Sequence, residues 1–286
     1  MFNIPHPNFD YQKVINKLPL PQGEGVVARP QVSEKMGEGW LICLLCLLFL
    51  FLFAHSSFAF SFVVFGDNQD GDSIFQKIIN KVNQEKGVAF AVNTGDLVQN
   101  GTESEYLHYK ELISQLKMPV HNAMGNHDAV SGGWKIFKKM FGPDYYSFDY
   151  EGAHFVILDN SFKASFDSQQ FEWLKKDLAA TDARQKFVFM HRPTFDPSEL
   201  YKNYIMSGRE IAQQLMQLFI KYKVDYVFAG HIHGYARSER DGVIYLISGG
   251  AGAPLYLPPG FGGFHNYIKV EVNNDKISDK VVRIDE

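Results

Sequence analysis

Short apolar runs alternate with longer segments of helical periodicity along most of the chain. Residues 61–65 are mostly β-branched and aromatic, which predicts a buried strand. Between residues 73 and 86, apolar positions recur at a spacing of three to four, which predicts a helix. The same patterns predict further strands over 88–92, 118–123, 145–150, 153–158, 186–190, 224–229 and 242–248, and two more within 267–284. They predict further helices over 103–116, 168–180 and 208–221.

The order of these elements predicts how the strands pair. Strands alternate with helices early in the chain, which implies parallel pairing, whereas the later strand-rich stretches imply antiparallel pairing. No internal repeat or long linker follows residue 60, so residues 60–286 are predicted to form one α/β domain with mixed sheets. Aromatic residues make up 15% of the chain, which indicates a large buried core. The net charge of −4 gives no signal for binding nucleic acid.

Residues 1–59 are predicted to be a tail followed by a signal peptide or a membrane anchor. Positions 41–54 are apolar and uncharged, but a membrane helix needs about 20 such residues. Small residues at Ser57 and Ala59 suit cleavage by a signal peptidase, so we expect export to the periplasm or the extracellular space. An uncleaved anchor formed by 41–54 is the alternative. Both cysteines lie within 41–54, which excludes disulfides and thiolate metal sites from the remaining chain.

Polar and ionisable residues directly follow five of the predicted strands. The segments are Gly66-Asp67-Asn68-Gln69, Gly95-Asp96, Gly125-Asn126-His127-Asp128, Met190-His191-Arg192 and Gly230-His231-Ile232-His233. In open α/β sheets, ligands bind beyond the carboxyl ends of the strands, so we expect the five loops to meet in one pocket. Each segment alone is also typical of an ordinary turn or strand. Together they supply carboxylates, imidazoles and an amide without sulfur, a set that suits manganese, zinc or iron.

The order of these motifs resembles that of the calcineurin-like metallophosphoesterase superfamily, in particular its exported bacterial members. The resemblance extends from residue 60 to about residue 265 and includes the glycine-rich segment 249–254. It implies a four-layer sandwich of two mixed β-sheets flanked by helices, with a dinuclear metal site at the carboxyl ends of the strands. It also implies that a metal-bridging hydroxide hydrolyses a phosphomonoester or a phosphodiester, of small or macromolecular origin.

The resemblance also implies a role for each motif residue. Two divalent or mixed-valence ions, of manganese, zinc or iron, would share the ligands Asp67 and His233 (first ion), Asp96 (both ions), and Asn126, His191 and His231 (second ion). His127 would act as a general acid on the leaving oxygen, the alternatives being a further ligand or a structural hydrogen bond. Asn126 and Arg192 would contact the substrate phosphate, although Arg192 also suits a surface salt bridge.

Two positions depart from the pattern of the superfamily. Gln69 stands where many members carry a metal-binding His, so the first ion is expected to bind weakly or to exchange readily. Gln99 stands where purple acid phosphatases carry a Tyr ligand and other branches carry an Asp that pairs with the catalytic His. His127 would then be oriented by Asp128 or by another group. A non-catalytic binding or scaffold module that retains the fold is the alternative function.

Overall fold

The predicted strands form two mixed β-sheets in the computed structural model, which describes residues 59–162, 165–274 and 276–284. The described residues belong to one compact unit. Residues 41–54, interpreted above as a signal peptide or anchor, lie outside them. Within the described part of the chain, no helix has the length and apolar character needed to cross a membrane.

The first sheet contains five strands. They are β1 (Ala59–Phe65), β2 (Val88–Asn93), β3 (Val120–Asn122), β10 (Asn266–Asn273) and β11 (Lys276–Arg283). Their order across the sheet is β11-β10-β1-β2-β3. Strand β1 pairs in parallel with β2 and antiparallel with β10, so the sheet is mixed as predicted.

The second sheet contains six strands. They are β4 (Tyr146–Tyr150), β5 (Ala153–Ile157), β6 (Gln185–Phe189), β7 (Tyr226–Ala229), β8 (Tyr235–Arg240) and β9 (Val243–Ser248). Their order is β4-β5-β6-β7-β9-β8, with a parallel centre and an antiparallel strand at each edge.

Helices cover the outer faces of both sheets. They are α1 (Asp72–Val82), α2 (Glu103–Ile113), α3 (Asn126–Ala129), α4 (Gly133–Phe141), α5 (Ser168–Ala180) and α6 (Arg209–Lys221). Ile78, Tyr106 and Phe137 place α1, α2 and α4 against the first sheet. Leu174 and Phe219 place α5 and α6 against the second sheet. The predicted four-layer sandwich is therefore confirmed.

The two sheets pack face to face through phenylalanine side chains, which accounts for the aromatic content. Phe62 of β1 is fully buried, with ring centroids of Phe90, Phe155 and Phe187 at 5.4, 5.4 and 5.1 Å. The Phe90 ring is stacked and the other two are edge-on, arrangements that aromatic pairs prefer. This apolar interior fixes the register in which the loops at the strand ends meet.

The sequence patterns missed helices α3 and α4 and strand β8. Helix α4 follows α3 after a single tight turn in which Ser131 has a positive φ of 53°, so the two helices are too short to show a long periodicity. Strand β8 is mostly exposed and reads Tyr-Ala-Arg-Ser-Glu-Arg, so it lacks the apolar content of a core strand. It pairs with β9 as an edge strand, where charged residues are common.

A buried histidine joins the β4–β5 hairpin to helix α5. His154 Nδ1 lies 2.7 Å from Asp149 Oδ1, and its Nε2 lies 2.9 Å from Asp177 Oδ2. Burial alone would lower the pKa of His154, but hydrogen bonds to both carboxylates outweigh it and raise the pKa. Because both ring nitrogens face carboxylates, the charged imidazolium is the form that satisfies both contacts.

We predict that this contact makes stability depend on pH. The folded pKa is raised above the unfolded value of about 6.5, so the stabilisation is fully present below that pH and is lost as pH rises through the folded pKa. His154→Gln should therefore lower the melting temperature clearly at pH 6 and less at pH 9. His108→Gln provides the comparison, because His108 also bonds to a carboxylate, that of Asp72, but at an exposed site where solvent weakens the contact. A deficit for His154→Gln that is equal at both pH values would contradict the prediction.

Candidate metal centre

The five motif loops meet at one edge of the sandwich. Asp67, Asp96 and Asn126 follow β1, β2 and β3 of the first sheet, whereas His191 and His231 follow β6 and β7 of the second. These strands are parallel neighbours within their sheets, so their carboxyl ends lie on the same side. The predicted convergence of the loops is therefore present in the structure.

Six predicted ligands form two groups that share one carboxylate. Asp67, Asp96 and His233 form one group, and Asp96, His191 and His231 form the other, with the ligand atoms of each within 4.8 Å of one another. Asn126 Oδ1 joins the second group, 3.0 Å from His191 Nε2. Two sets of oxygen and nitrogen donors around a shared carboxylate fit two neighbouring metal ions.

Asp67 and Asp96 are the buried anionic centres of the two groups. Asp67 Oδ1 lies 3.4 Å from His233 Nε2, and its carboxylate accepts the main-chain N–H of His231 at 3.0 Å. Asp96 Oδ1 lies 3.4 Å from His191 Nε2. Both carboxylates are almost completely excluded from solvent, so the site needs positive charge close to them.

Gln69 lies beside the shared carboxylate. Its Nε2 donates to Asp96 Oδ2 at 3.2 Å. A role for Gln69 as a ligand of the first ion stays a prediction. As a neutral amide, it adds no charge and is a weaker donor to a metal than an imidazole.

Main-chain carbonyls orient two of the histidines. His191 Nδ1 lies 3.1 Å from the Thr94 carbonyl oxygen, and His233 Nδ1 lies 2.7 Å from the Pro254 carbonyl oxygen. A carbonyl can only accept, so both Nδ1 atoms carry the proton and both Nε2 atoms face the carboxylates. Such contacts fix the tautomer of metal-binding histidines. The glycine-rich segment 249–254 therefore contributes to the site through the carbonyl of Pro254.

Asp96 and His191 balance each other's charge. Burial alone would raise the pKa of Asp96, but the charge and hydrogen bond of His191 and a contact with His127 outweigh it and lower the pKa. Burial alone would lower the pKa of His191, yet the Asp96 carboxylate raises it to about 9. The imidazolium of His191 thus supplies positive charge beside Asp96. A bound metal ion would supply that charge in its place.

The two histidines of the Gly-His-x-His motif have opposite electrostatic environments. Burial would lower the pKa of His233, but its hydrogen bond to Asp67 and the charge of that carboxylate raise it. Burial and the charges of His191 and Arg192 lower the pKa of His231 to about 2. His231 is therefore the neutral imidazole of the set, which is the form that binds a metal.

Arg192 contacts the site instead of forming a surface salt bridge, the alternative considered above. Its Nη1 donates to His231 Nε2 at 2.8 Å, and its Nε donates to the Ser161 carbonyl oxygen at 3.1 Å. Asn160 holds the same loop, because its Oδ1 accepts the main-chain N–H groups of both His191 and Arg192. Sequence analysis did not single out Ser161, because it contributes only its main-chain carbonyl to Arg192.

His127 is held by a main-chain carbonyl. Its Nδ1 lies 2.8 Å from the carbonyl oxygen of Gln99, and its main-chain N–H donates to Asp96 Oδ1 at 2.8 Å. Of the two alternatives for the orientation of His127, Asp128 or another group, the structure shows the second, since the partner is the carbonyl of Gln99. The carboxylate of Asp128 instead accepts the main-chain N–H groups of Leu97, Val98 and Gly125.

Asp128 links the loop that follows β2 to the loop that follows β3 through hydrogen bonds. Burial and the charge of Asp96 raise its pKa, partly offset by the main-chain N–H groups that it accepts. The close approach of the loops also requires Gly125, because a Cβ there would collide with the main-chain nitrogen and Oδ1 of Asp96. Any larger residue at 125 must therefore displace the shared carboxylate.

Besides Gln69, with a φ of 43°, three site residues have left-handed backbone conformations. The φ angles are 60° for Asp67, 54° for Asp96 and 66° for His231. Residues other than glycine seldom adopt this region, and they cluster at functional sites where the surrounding structure compels it. The hydrogen bonds of the loops thus hold these three side chains in directions that relaxed backbone would not favour.

The protein is thus a two-sheet α/β sandwich with two groups of carboxylate and imidazole side chains that share Asp96. The family model for calcineurin-like phosphoesterases matches residues 60–235, which is more than half of the chain. The chain therefore belongs to the calcineurin-like phosphoesterase family.

Relatives of this chain include plant purple acid phosphatases. Purple acid phosphatase 23 of Arabidopsis thaliana is 35% identical over 132 residues, covering 45% of this chain and 27% of the relative. The Fe(3+)-Zn(2+) purple acid phosphatase 12 of the same plant is 33% identical over 132 residues, covering 42% and 28%. The alignments thus span about a quarter of the length of these relatives.

Solved structures share the fold at low sequence identity. Purple acid phosphatase PPD1 from yellow lupin has a TM-score of 0.65 and 19% identity, covering 80% of this chain and 52% of that chain. GAP50, described as the anchor in the inner membrane complex of Plasmodium, has a TM-score of 0.63 and 16% identity, covering 79% and 84%. Both likenesses concern the fold alone.

We predict that Gly125→Ala weakens metal binding while the protein remains folded. The added methyl group displaces Asp96, the carboxylate common to both groups, so we expect at least about a tenfold loss of affinity, roughly 1.4 kcal/mol. Metal content after dialysis against manganese or zinc measures this. Gly260→Ala is the control, since a Cβ there meets no atom within 4 Å. Equal metal content in both variants would refute the prediction.

Proposed function

We propose that this protein hydrolyses a phosphate ester in a metal-dependent reaction. The single observation that carries the proposal is the pair of ligand groups around Asp96, with His127 attached to the same carboxylate through its main-chain N–H. Membership of a phosphoesterase family supports this reaction class. Whether the substrate is a monoester or a diester follows from the assays below.

Two metal ions would be held by the two groups. Asp67 and His233 would bind the first ion, His191, His231 and Asn126 the second, and Asp96 both. When bound, the ions supply a nucleophile at neutral pH and stabilise negative charge on the phosphoryl oxygens. The donor set suits iron, zinc or manganese. The printed name of one relative specifies iron and zinc, which supports that pair as the first to be tested.

The side chains of the chain itself position the phosphate and move protons. The Gln99 carbonyl accepts the Nδ1 proton of His127, so a second proton, carried on Nε2 in the imidazolium form, is the one that would pass to the leaving oxygen. Arg192 can turn its guanidinium from His231 to the phosphate when a metal binds that imidazole. The Asn126 amide would contact the phosphate beside its metal.

We also propose that the protein is exported. The support is the sequence alone: residues 41–54 are apolar and uncharged and are followed by small residues at Ser57 and Ala59. Cleavage and anchoring by this segment are distinguished by the mass of the mature protein and by its partition into membranes.

A scaffold function is the second candidate. GAP50, which has a similar fold, is described as an anchor, and a fold does not specify an activity. The intact set of histidines favours the enzyme, because a scaffold does not need His127 beside a shared carboxylate. Metal-loaded protein that hydrolyses no phosphate ester would favour the scaffold.

We predict that residues 60–286 hydrolyse para-nitrophenyl phosphate or bis-para-nitrophenyl phosphate only after manganese, zinc or iron is added. His127→Ala should lower kcat by about 10²- to 10⁴-fold with metal content unchanged, as expected for loss of a general acid. Asp96→Asn should lose both activity and metal. The ratio of the two initial rates distinguishes a phosphomonoesterase from a phosphodiesterase.

Gln99→Ala is the matched control for His127→Ala. Only the main-chain carbonyl of Gln99 contacts His127, so its side chain should be dispensable and activity should stay within about threefold. A loss as large as that of His127→Ala would show that the Gln99 side chain acts in the reaction. Full activity of His127→Ala would remove His127 from the mechanism.

We predict that Gln69→His tightens metal binding at the group of Asp67, Asp96 and His233. An imidazole replaces a neutral amide that already lies 3.2 Å from Asp96, so we expect about tenfold higher affinity, measured by titration against a chelator. Gln76→His, at a partly exposed position of helix α1 where the side chain bonds to Gln115, controls for a histidine that merely adds a ligand outside the site. If both variants gain equally, Gln69 is not a ligand position.

A further inference from the structure

Three tyrosines pack around the histidines of the Gly-His-x-His motif, and we call Tyr201, Tyr204 and Tyr256 the tyrosine rim. The Tyr256 ring stacks on the His233 ring, with centroids 3.9 Å apart and planes 15° apart. The Tyr204 ring lies 5.9 Å from the His231 ring. The rim therefore contacts one proposed ligand of each metal ion.

The rim is a fixed structure with two rings open to solvent. Tyr204 and Tyr256 lie edge to face, 5.5 Å apart, and Tyr201 packs against both rings. The Tyr201 hydroxyl donates to the Tyr256 carbonyl oxygen at 2.6 Å, which joins the segment after β6 to the segment after β9. Yet Tyr204 is 41% exposed and Tyr256 is 36% exposed. Aromatic side chains this exposed are available to contact a ligand.

We propose that the tyrosine rim binds a planar aromatic group carried by the leaving alcohol of the phosphate ester. The inference rests on the proposed hydrolysis, because a phosphate held between the two groups would place its ester substituent beside these rings. Rings that meet at 65° offer a face and an edge to one planar group. Stacking on such a ring suits the flat face of another aromatic group, such as a nucleobase or an aryl ring.

Matched substrates separate this contact from the chemistry of the leaving group. Adenosine 5′-monophosphate and ribose 5-phosphate both lose a primary alcohol and differ in the base. 2-Naphthyl and phenyl phosphate form the aryl pair. We expect the member with the larger aromatic surface to have at least about tenfold higher kcat/KM in one pair. Preference within the nucleotide pair assigns a nucleoside, and preference within the aryl pair assigns an aryl alcohol.

Variants test whether the rim causes the preference. Tyr204→Ala should reduce the ratio of kcat/KM values about tenfold, mainly through KM of the preferred ester, and Tyr204→Phe should preserve it. Leu200→Ala, an exposed apolar residue of the same segment, should leave it unchanged. Two outcomes would overturn the role of the rim and leave the proposed hydrolysis standing. One is a ratio of kcat/KM values near one in both substrate pairs for the wild type. The other is an equal loss of kcat/KM on all esters in Tyr204→Ala. Absence of metal-dependent turnover on these four esters, on para-nitrophenyl phosphate and on bis-para-nitrophenyl phosphate would overturn the proposed function together with the role of the rim.

Discussion

The burial of three carboxylates at one edge of the sandwich governs the rest of the site. Asp67, Asp96 and Asp128 have exposures of 0%, 1% and 0%. Ionised groups at such positions destabilise a fold unless they are paired, so each attracts donors from several loops. Asp128 accepts three main-chain N–H groups, whereas Asp67 and Asp96 accept those of His231 and His127. The negative charge of Asp67 and Asp96 thus both holds main-chain donors and selects cationic ligands, whereas burial and the charge of Asp96 raise the pKa of Asp128 and favour its neutral form.

The ligand groups also connect the two sheets of the sandwich. Each ligand group combines carboxylates from the first sheet with histidines from the loops of the second sheet. A cation bound to either group would therefore join the sheets at their open edge, in addition to the phenylalanine contacts between their faces. Binding that requires the folded arrangement stabilises it by mass action, so occupancy of the site and stability of the sandwich are linked.

Much of this arrangement follows from the sequence because apolar periodicity locates the strand ends. Asp67 and Asp96 each follow a buried strand of the first sheet, so their meeting required only correct strands and parallel pairing. Their meeting with His191 also required the two sheets to pack with these strand ends at the same edge. The orientation of His127 was not predictable in this way. Its partner is the main-chain carbonyl of Gln99, and every residue type offers a carbonyl. The same applies to Pro254, whose carbonyl positions His233.

Gln69 and Gln99 are both neutral residues, and the structure explains them together. In other branches of the superfamily, ionisable side chains at these positions bind a metal or orient the catalytic histidine. Here a main-chain carbonyl takes over the orientation of His127, and the amide of Gln69 bonds to the shared carboxylate. Neither substitution removes a ligand of the group containing Asp96, His191 and His231. The sequence-based expectation that the first ion binds more weakly than the second therefore concerns only the group containing Asp67 and His233.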